Sequence, residues 1–177
     1  ETQLVVCLLF QYAGMSFVDF AHLKERNIKN GILDYNRQKT GTPMRLEILD
    51  TAELMRKELM GDKKPASGYL FPFLSGTKTG YEAYLEYNAA LSRFNRNLKA
   101  LKKAAGIASD VTSYTIRHSF AMALKEQNVP IEMISELLGH KSIKTTQIYL
   151  RSFSLEKMTE VNSTCFGCVY NYVSKVG

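Results

Sequence analysis

A single stretch in which the hydrophobic period changes governs what this chain can fold into. Early in the chain Leu4, Leu8, Leu9 and Tyr12 recur at helical spacing, and Gly14 ends that helix. From Ile28 the period drops to two. Leu33, Tyr35, Arg37 and Lys39 then share one face of an extended strand, and Ile32, Asp34, Asn36 and Gln38 share the other. Thr40-Gly41-Thr42-Pro43 reads as a turn, and Met44, Leu46 and Ile48 alternate on a return strand. After Asp50 the helical period resumes. One hairpin inside a helical chain predicts an α+β fold, mostly α-helical, with a small antiparallel β-hairpin or sheet near the N-terminus.

Capping and breaking residues divide the helical part. Ser16 can cap a second helix, with Asp19 at the third helical position, close to a capping box. Asp50 is expected to cap a helix over about Thr51 to Met60. Residues 61–80 are rich in Lys, Pro, Gly and Ser and read as a loop with one apolar piece, Tyr69 to Leu74. A long helix is expected over about Tyr81 to Ala105, closed by Gly106, with Arg93, Arg96, Lys99, Lys102 and Lys103 on a basic side. Ser113 opens the next helix, Val129-Pro130 breaks it, and Gly139 stops a short one over Ile131 to Leu138. Ser142 caps the last. The chain after Leu150 reads as a looser tail.

Composition narrows the function classes. A chain of 177 residues suits one domain and can bury a core without disulfide or metal staples. The longest apolar run, Leu4 to Phe10, is too short to span a bilayer and lacks the flanks of a signal peptide. Three cysteines, Cys7, Cys165 and Cys168, make no disulfide framework, and the odd count argues for a reducing compartment. Cys165 and Cys168 supply only two of the four ligands that a structural zinc needs. His22, His118 and His140 show no zinc-ligand spacing with carboxylates, so no metal site is expected. A net charge of +6 fits a polyanion partner. The chain starts at Glu1, almost inside a helical pattern, and is expected to be a fragment of a longer protein.

Two segments carry chemistry. In Ser113-Tyr114-Thr115-Ile116-Arg117-His118-Ser119-Phe120-Ala121, helical geometry puts Tyr114, Arg117, Ala121 and Leu124 on one side. A guanidinium among small and apolar residues needs an anion, either an external phosphate or carboxylate or an internal Asp or Glu. Both readings stand on this segment alone. In the second segment, His140 and Tyr149 are nine residues apart and would point about 180° apart on one unbroken helix. Gly139 and the Ser142 cap break the helix, so the two can converge.

Together, Arg-His, then Leu-Gly-His, then a Tyr nine residues past that His, resemble the tyrosine recombinase (phage-type integrase) family. Arg117 matches that family's second active-site arginine, His140 its third-motif histidine and Tyr149 its nucleophile. Ala13-Gly14-Met15-Ser16-Phe17-Val18-Asp19 stands where the family has Thr-Gly-Leu-Arg-x-Ser-Glu. Lys39 stands at the position of its catalytic lysine. The resemblance covers about residues 2 to 152 and departs twice: Ser16 stands in place of the first arginine, and Tyr114 in place of a His or Lys. With Tyr-Asn-Arg-Gln-Lys-Thr, the combination is similar to integrases of Bacteroides-type mobile elements.

The resemblance implies a tyrosine recombinase catalytic-domain fold over residues 1–152 and a tail over 153–177 that docks either in cis or on a neighbouring protomer. It also implies a core-DNA-binding domain upstream, double-stranded DNA as partner, four protomers in the recombining complex, a bacterial cytoplasmic, nucleoid-associated setting, and no cofactor. Tyr149 would attack the scissile phosphate to give a 3′-phosphotyrosyl link. Arg117 and His140 would hold the non-bridging oxygens, and Lys39 would protonate the leaving 5′ oxygen. Asp19 would orient its neighbours, and His118 would be a buried structural residue. Arg37, on the same strand face as Lys39, is the nearest candidate for the missing charge, with Arg45 second; a solvated strand residue is the alternative reading of Arg37. Lys24, Arg26, Lys78, Arg93, Arg96 and Lys141 are the basic candidates for DNA contact. Two rivals keep the same residues: a type IB topoisomerase, and a DNA-binding module without catalysis, suggested by Ser16.

Overall fold

The computed structural model describes residues 1–63, 68–150 and Met158. Among the described residues the named α-helices are α1 Thr2–Gln11, α2 Phe17–Ala21, α3 Asp50–Met60, α4 Gly80–Ala104, α5 Ser113–Glu126, α6 Ile131–Leu137 and α7 Ile143–Tyr149. The strands are β1 Ile28–Lys29, β2 Ile32–Asn36 and β3 Pro43–Glu47, forming one antiparallel sheet in the order β1-β2-β3. The mostly helical α+β expectation therefore holds, with a third short strand added to the hairpin. Leu33 pairs with Leu46 and Tyr35 with Met44.

Local details differ from the sequence reading at Lys39, Asp50 and Ser16, while Ser113 opens α5 as read. The alternation stops at Arg37: residues 38–40 are the turn, so Lys39 lies beyond the strand. The turn is closed by Gly41 N–H donating to Arg37 O at 2.8 Å and Arg37 N–H to Thr42 O at 2.9 Å. Leu49, not Asp50, is the N-cap of α3, and Asp50 is its first residue, where its charge still suits the helix dipole. Thr112 caps α5 in a reciprocal box with Thr115. Ser16 is the N-cap of α2 without capping through its side chain. Its hydroxyl instead donates to Asp19 Oδ2 at 2.5 Å. Ser142 does cap α7, accepting from Lys144 N–H.

Two hydrophobic cores meet at the centre. The larger gathers α1, α2, the inner sheet face, α3, the 70–74 segment and α4, around Leu8, Phe20, Leu33, Phe71, Phe94 and Leu98. The smaller packs Ala121, Ile134 and Leu138 together with Phe120, Leu124 and Leu150. Helix α5 joins them, because Ile116 belongs to the first and Ala121 to the second. Arg117 therefore emerges at their junction. Ser113 N–H donates to Asn95 Oδ1 at 2.9 Å, which ties the start of α5 to α4.

Candidate phosphate-binding site

Each buried charge at the junction is placed by a local device. After α1 the chain turns sharply, with Ala13 and Gly14 both in left-handed conformation, φ 54° and 63°. A Cβ on Gly14 would lie 2.8 Å from a ring carbon of Phe120, so only glycine lets this turn pack on α5. The tight approach brings the Gly14 carbonyl to Arg117, whose Nη1 donates to it at 2.9 Å. Arg117 Nη2 donates to the Leu138 carbonyl at the end of α6 and lies 3.3 Å from His140 Nε2.

Gly139 repeats the device. Its φ is 61°, and a Cβ would meet Met44 and come within 2.7 Å of Arg37 Cδ. The small residue lets β3 and the Arg37 side chain press against the turn that carries His140. Arg37 Nη1 donates to the Gly139 carbonyl at 3.0 Å, and its Nε faces Asp19 Oδ2 at 3.5 Å. Asp19 also accepts from Gln38 N–H at 2.7 Å, so it orients α2, the β2–β3 turn and Arg37 together. Arg37 is 8% exposed and Arg117 4%, so neither is a solvated side chain.

The described residues that are buried and ionisable as acid or guanidinium comprise these two arginines and one carboxylate, Asp19. Asp19 faces Arg37, while Arg117 donates to the carbonyls of Gly14 and Leu138 and meets His140 Nε2. His140 is held neutral: burial foremost, then the Arg117 and Arg37 charges, push its pKa down to about 4. Burial, followed by the Asp19 charge, pushes the Tyr35 phenol up, so that phenol stays protonated beside the site.

The remaining candidates are spread more widely. Tyr149 is the last residue of α7, and its side chain lies outside the described part of the structure. Lys39 is exposed at the tip of the β2–β3 turn, and Tyr114 is 60% exposed at the start of α5. His118 is half-buried instead of fully enclosed. Arg45 lies exposed on β3, in register with Asp34, and alternates away from buried Met44. Lys24 is half-buried with its ammonium 5.3 Å from the Tyr69 ring centre, and Lys78 pairs with Glu82. Arg26, Arg96 and Lys141 are exposed. Arg93 lines a cleft of about 390 Å³ with Glu1, Val5, Lys63 and Phe94. The tail positions Phe153, Leu155 and Val161, with Cys165 and Cys168, lie outside the described residues.

Sequence reasoning missed Thr146. It is fully buried in α7, and its Oγ1 lies 2.8 Å from His140 Nδ1. A threonine in a polar helix carries no pattern that announces such a contact. Among the described residues, no three His, Cys, Asp or Glu side chains are grouped to hold a metal. No described helix is long and apolar enough to cross a membrane.

A tyrosine recombinase XerD of Lacticaseibacillus casei is 52% identical over 54 residues, covering 30% of this chain and 18% of that protein. A tyrosine recombinase XerC of Rickettsia typhi is 41% identical over 75 residues, covering 42% of this chain and 24% of that one. The chain thus aligns with less than a quarter of the length of these relatives. Among solved structures, the XerA recombinase matches with a TM-score of 0.67 at 21% identity, over 93% of this chain and 58% of that chain. An XerH site-specific recombinase, solved on its palindromic difH substrate after cleavage, matches with a TM-score of 0.65 at 21% identity, over 92% of this chain and 44% of that chain. These likenesses confirm the fold. Residues 2–156 match the phage integrase family, and the chain belongs to it.

Proposed function

We propose that this chain is the catalytic part of a site-specific DNA recombinase that cleaves and rejoins DNA through a 3′-phosphotyrosyl intermediate. The observation that carries this reading is the convergence of Arg117, Arg37 and His140 on the Leu138–Gly139 turn, at the mouth of the junction between the two cores. The relatives are named tyrosine recombinases, and one structural neighbour is an XerH recombinase on its difH DNA after cleavage.

In this reading the scissile phosphate sits against the two guanidiniums and His140. Charge growing on its non-bridging oxygens in the transition state meets donors already fixed in place. Bidentate guanidinium geometry suits phosphate better than a lysine would. Arg37 supplies the charge that Ser16 cannot, entering from the strand instead of from α2. Tyr149 Oη attacks phosphorus and loses its proton. The bond to the 5′ oxygen breaks, and Lys39 from the exposed hairpin tip protonates that oxygen. The phosphotyrosyl ester conserves the bond energy, so a second 5′ hydroxyl can reverse the step. Double-stranded DNA is the partner, held through phosphate contacts by the exposed basic residues. Four protomers join two duplexes, and a core-DNA-binding domain elsewhere in the protein completes the grip.

The test is covalent trapping. The protein is incubated with nicked suicide duplexes of randomised sequence, denatured, and examined for protein linked to a DNA 3′ end. An adduct in wild type that disappears in Tyr149→Phe is expected. An adduct that persists in Tyr149→Phe would overturn the nucleophile, and absence of any adduct in wild type would overturn the reading.

A further inference from the structure

The His140 ring is engaged at both nitrogens. Nε2 lies 3.3 Å from Arg117 Nη2, and Nδ1 lies 2.8 Å from Thr146 Oγ1. A guanidinium nitrogen can only donate. Nε2 therefore meets it with its lone pair, and the single proton of the neutral ring sits on Nδ1, donated to Thr146. Thr146 has no exposed surface, so its hydroxyl cannot turn to bulk water. A hydroxyl is both donor and acceptor, and can reverse its role by rotating about one bond. In the DNA-free protein, then, the nitrogen that faces the phosphate site has no hydrogen to offer an oxygen.

We propose that Thr146 is a positioning residue that fixes the tautomer of His140 and allows that tautomer to reverse when phosphate binds. An oxygen entering between Arg117 and His140 replaces a donor with an acceptor in front of Nε2. When the ring swings out of its contact with Thr146, Nδ1 releases its proton to water and Nε2 takes one from water, and on the ring's return the Thr146 hydroxyl rotates to donate into Nδ1. The ring ends with the same number of protons and no charge, now donating to the phosphate. The charged groups facing it, Arg117 and Arg37, are both cations. A protonated ring would add a third positive charge beside them, whereas a neutral donor does not. Valine in place of Thr146 keeps the shape and removes both roles, which leaves a buried Nδ1–H without its acceptor.

The phosphate half of this proposal rests on the recombinase reading; the DNA-free tautomer does not. The experiment has an arm for each. In the first, the 177-residue chain is labelled with ¹⁵N-histidine as wild type, Thr146→Ser and Thr146→Val, and ring nitrogen shifts are read at pH 7.5. His22 and His118 serve as internal references for an intact fold. Wild type and Thr146→Ser are expected to show His140 protonated at Nδ1, with Thr146→Val shifting His140 alone. A wild-type ring protonated at Nε2, or unchanged His140 shifts in Thr146→Val, would overturn the proposal. In the second arm, adduct formation is timed at saturating suicide duplex. Thr146→Val is expected to be slower by about tenfold at unchanged DNA affinity, the worth of one lost hydrogen bond, with Thr146→Ser within about twofold of wild type. Equal rates in Thr146→Val and wild type would overturn it. Absence of adduct in wild type would sink the recombinase reading, while the nitrogen shifts still decide the role of Thr146.

Discussion

The guanidinium of Arg37 donates from Nη1 to the carbonyl of Gly139 at 3.0 Å, across 102 residues of chain. This one bond fastens the β2–β3 hairpin to the turn that carries His140. It brings a residue just past the end of β2 to the turn that also receives Arg117 from α5. In the proposed site, Arg37 would stand in for the guanidinium that Ser16 cannot supply. Ser16 retains a part in the arrangement, since its hydroxyl donates to Asp19, which in turn faces Arg37.

Arg37→Ala is expected to slow formation of the covalent DNA adduct by about 10²-fold or more, the usual loss when a fixed transition-state donor is removed. Lys63→Ala, a change at an exposed lysine, should leave the rate unchanged. Single-turnover cleavage on a suicide duplex compares the two. Similar rates would return Arg37 to a structural role.

Gly139→Ala should destabilise the protein by about 2 kcal/mol or more, from left-handed strain plus collision with Met44 and Arg37. Gly31→Ala is the matched control. Its φ of 74° imposes the same backbone strain, yet nothing lies within 4 Å of where its Cβ would sit. Urea unfolding should give a smaller loss for Gly31→Ala, of about 1 kcal/mol. Equal losses would mean that the close approach at Gly139 relaxes freely.

Much of this arrangement is legible in the sequence, and the gaps have physical causes. The glycine and serine around His140 announce a helix break, which the structure has between α6 and α7, but the contact of His140 with Arg117 on α5 is set by tertiary packing that no spacing announces. The alternation through Leu33, Tyr35 and Arg37 identifies the buried strand face. It does not say that the face is closed by a turn 102 residues away, because that depends on tertiary packing. The same alternation overreaches at Lys39, since nothing in period two marks where pairing ends. A two-residue strand such as β1 is too short to leave a pattern at all. Asp50 looks like a cap by residue type, but Leu49 takes that place, because the extended backbone and not the side chain defines the N-cap. Thr146 is invisible for a further reason: its value lies in a single hydroxyl contact, not in a periodic property.

His140 gives the protein a signed pH response. Its pKa is lowered from the ordinary 6.5 to about 4, so the unfolded chain binds its proton more readily than the folded one. Its contribution is complete above about pH 6.5 and is lost as pH falls towards 4. Unfolding midpoints in urea should therefore drop from pH 7 to pH 4.5 more steeply in wild type than in His140→Gln. Parallel slopes would show that His140 titrates alike in the folded and unfolded states.

Asp19 and Arg37 should behave as one unit. Asp19 is 2% exposed and receives the Ser16 hydroxyl, the Gln38 N–H and Arg37 Nε. Asp19→Asn keeps the shape but turns a charge acceptor into a group that also donates, leaving the Arg37 cation buried beside a neutral neighbour. Breaking a buried pair from one side typically costs about 3–5 kcal/mol. Replacing Arg37 by methionine in the Asp19→Asn background removes the stranded cation. The double variant should then lose less than the sum of the single losses, with a coupling of about 1 kcal/mol or more. Stability measured for wild type, both single variants and the double closes the cycle. Strict additivity would mean that Asp19 supports α2 and the hairpin turn without holding the strand guanidinium in place.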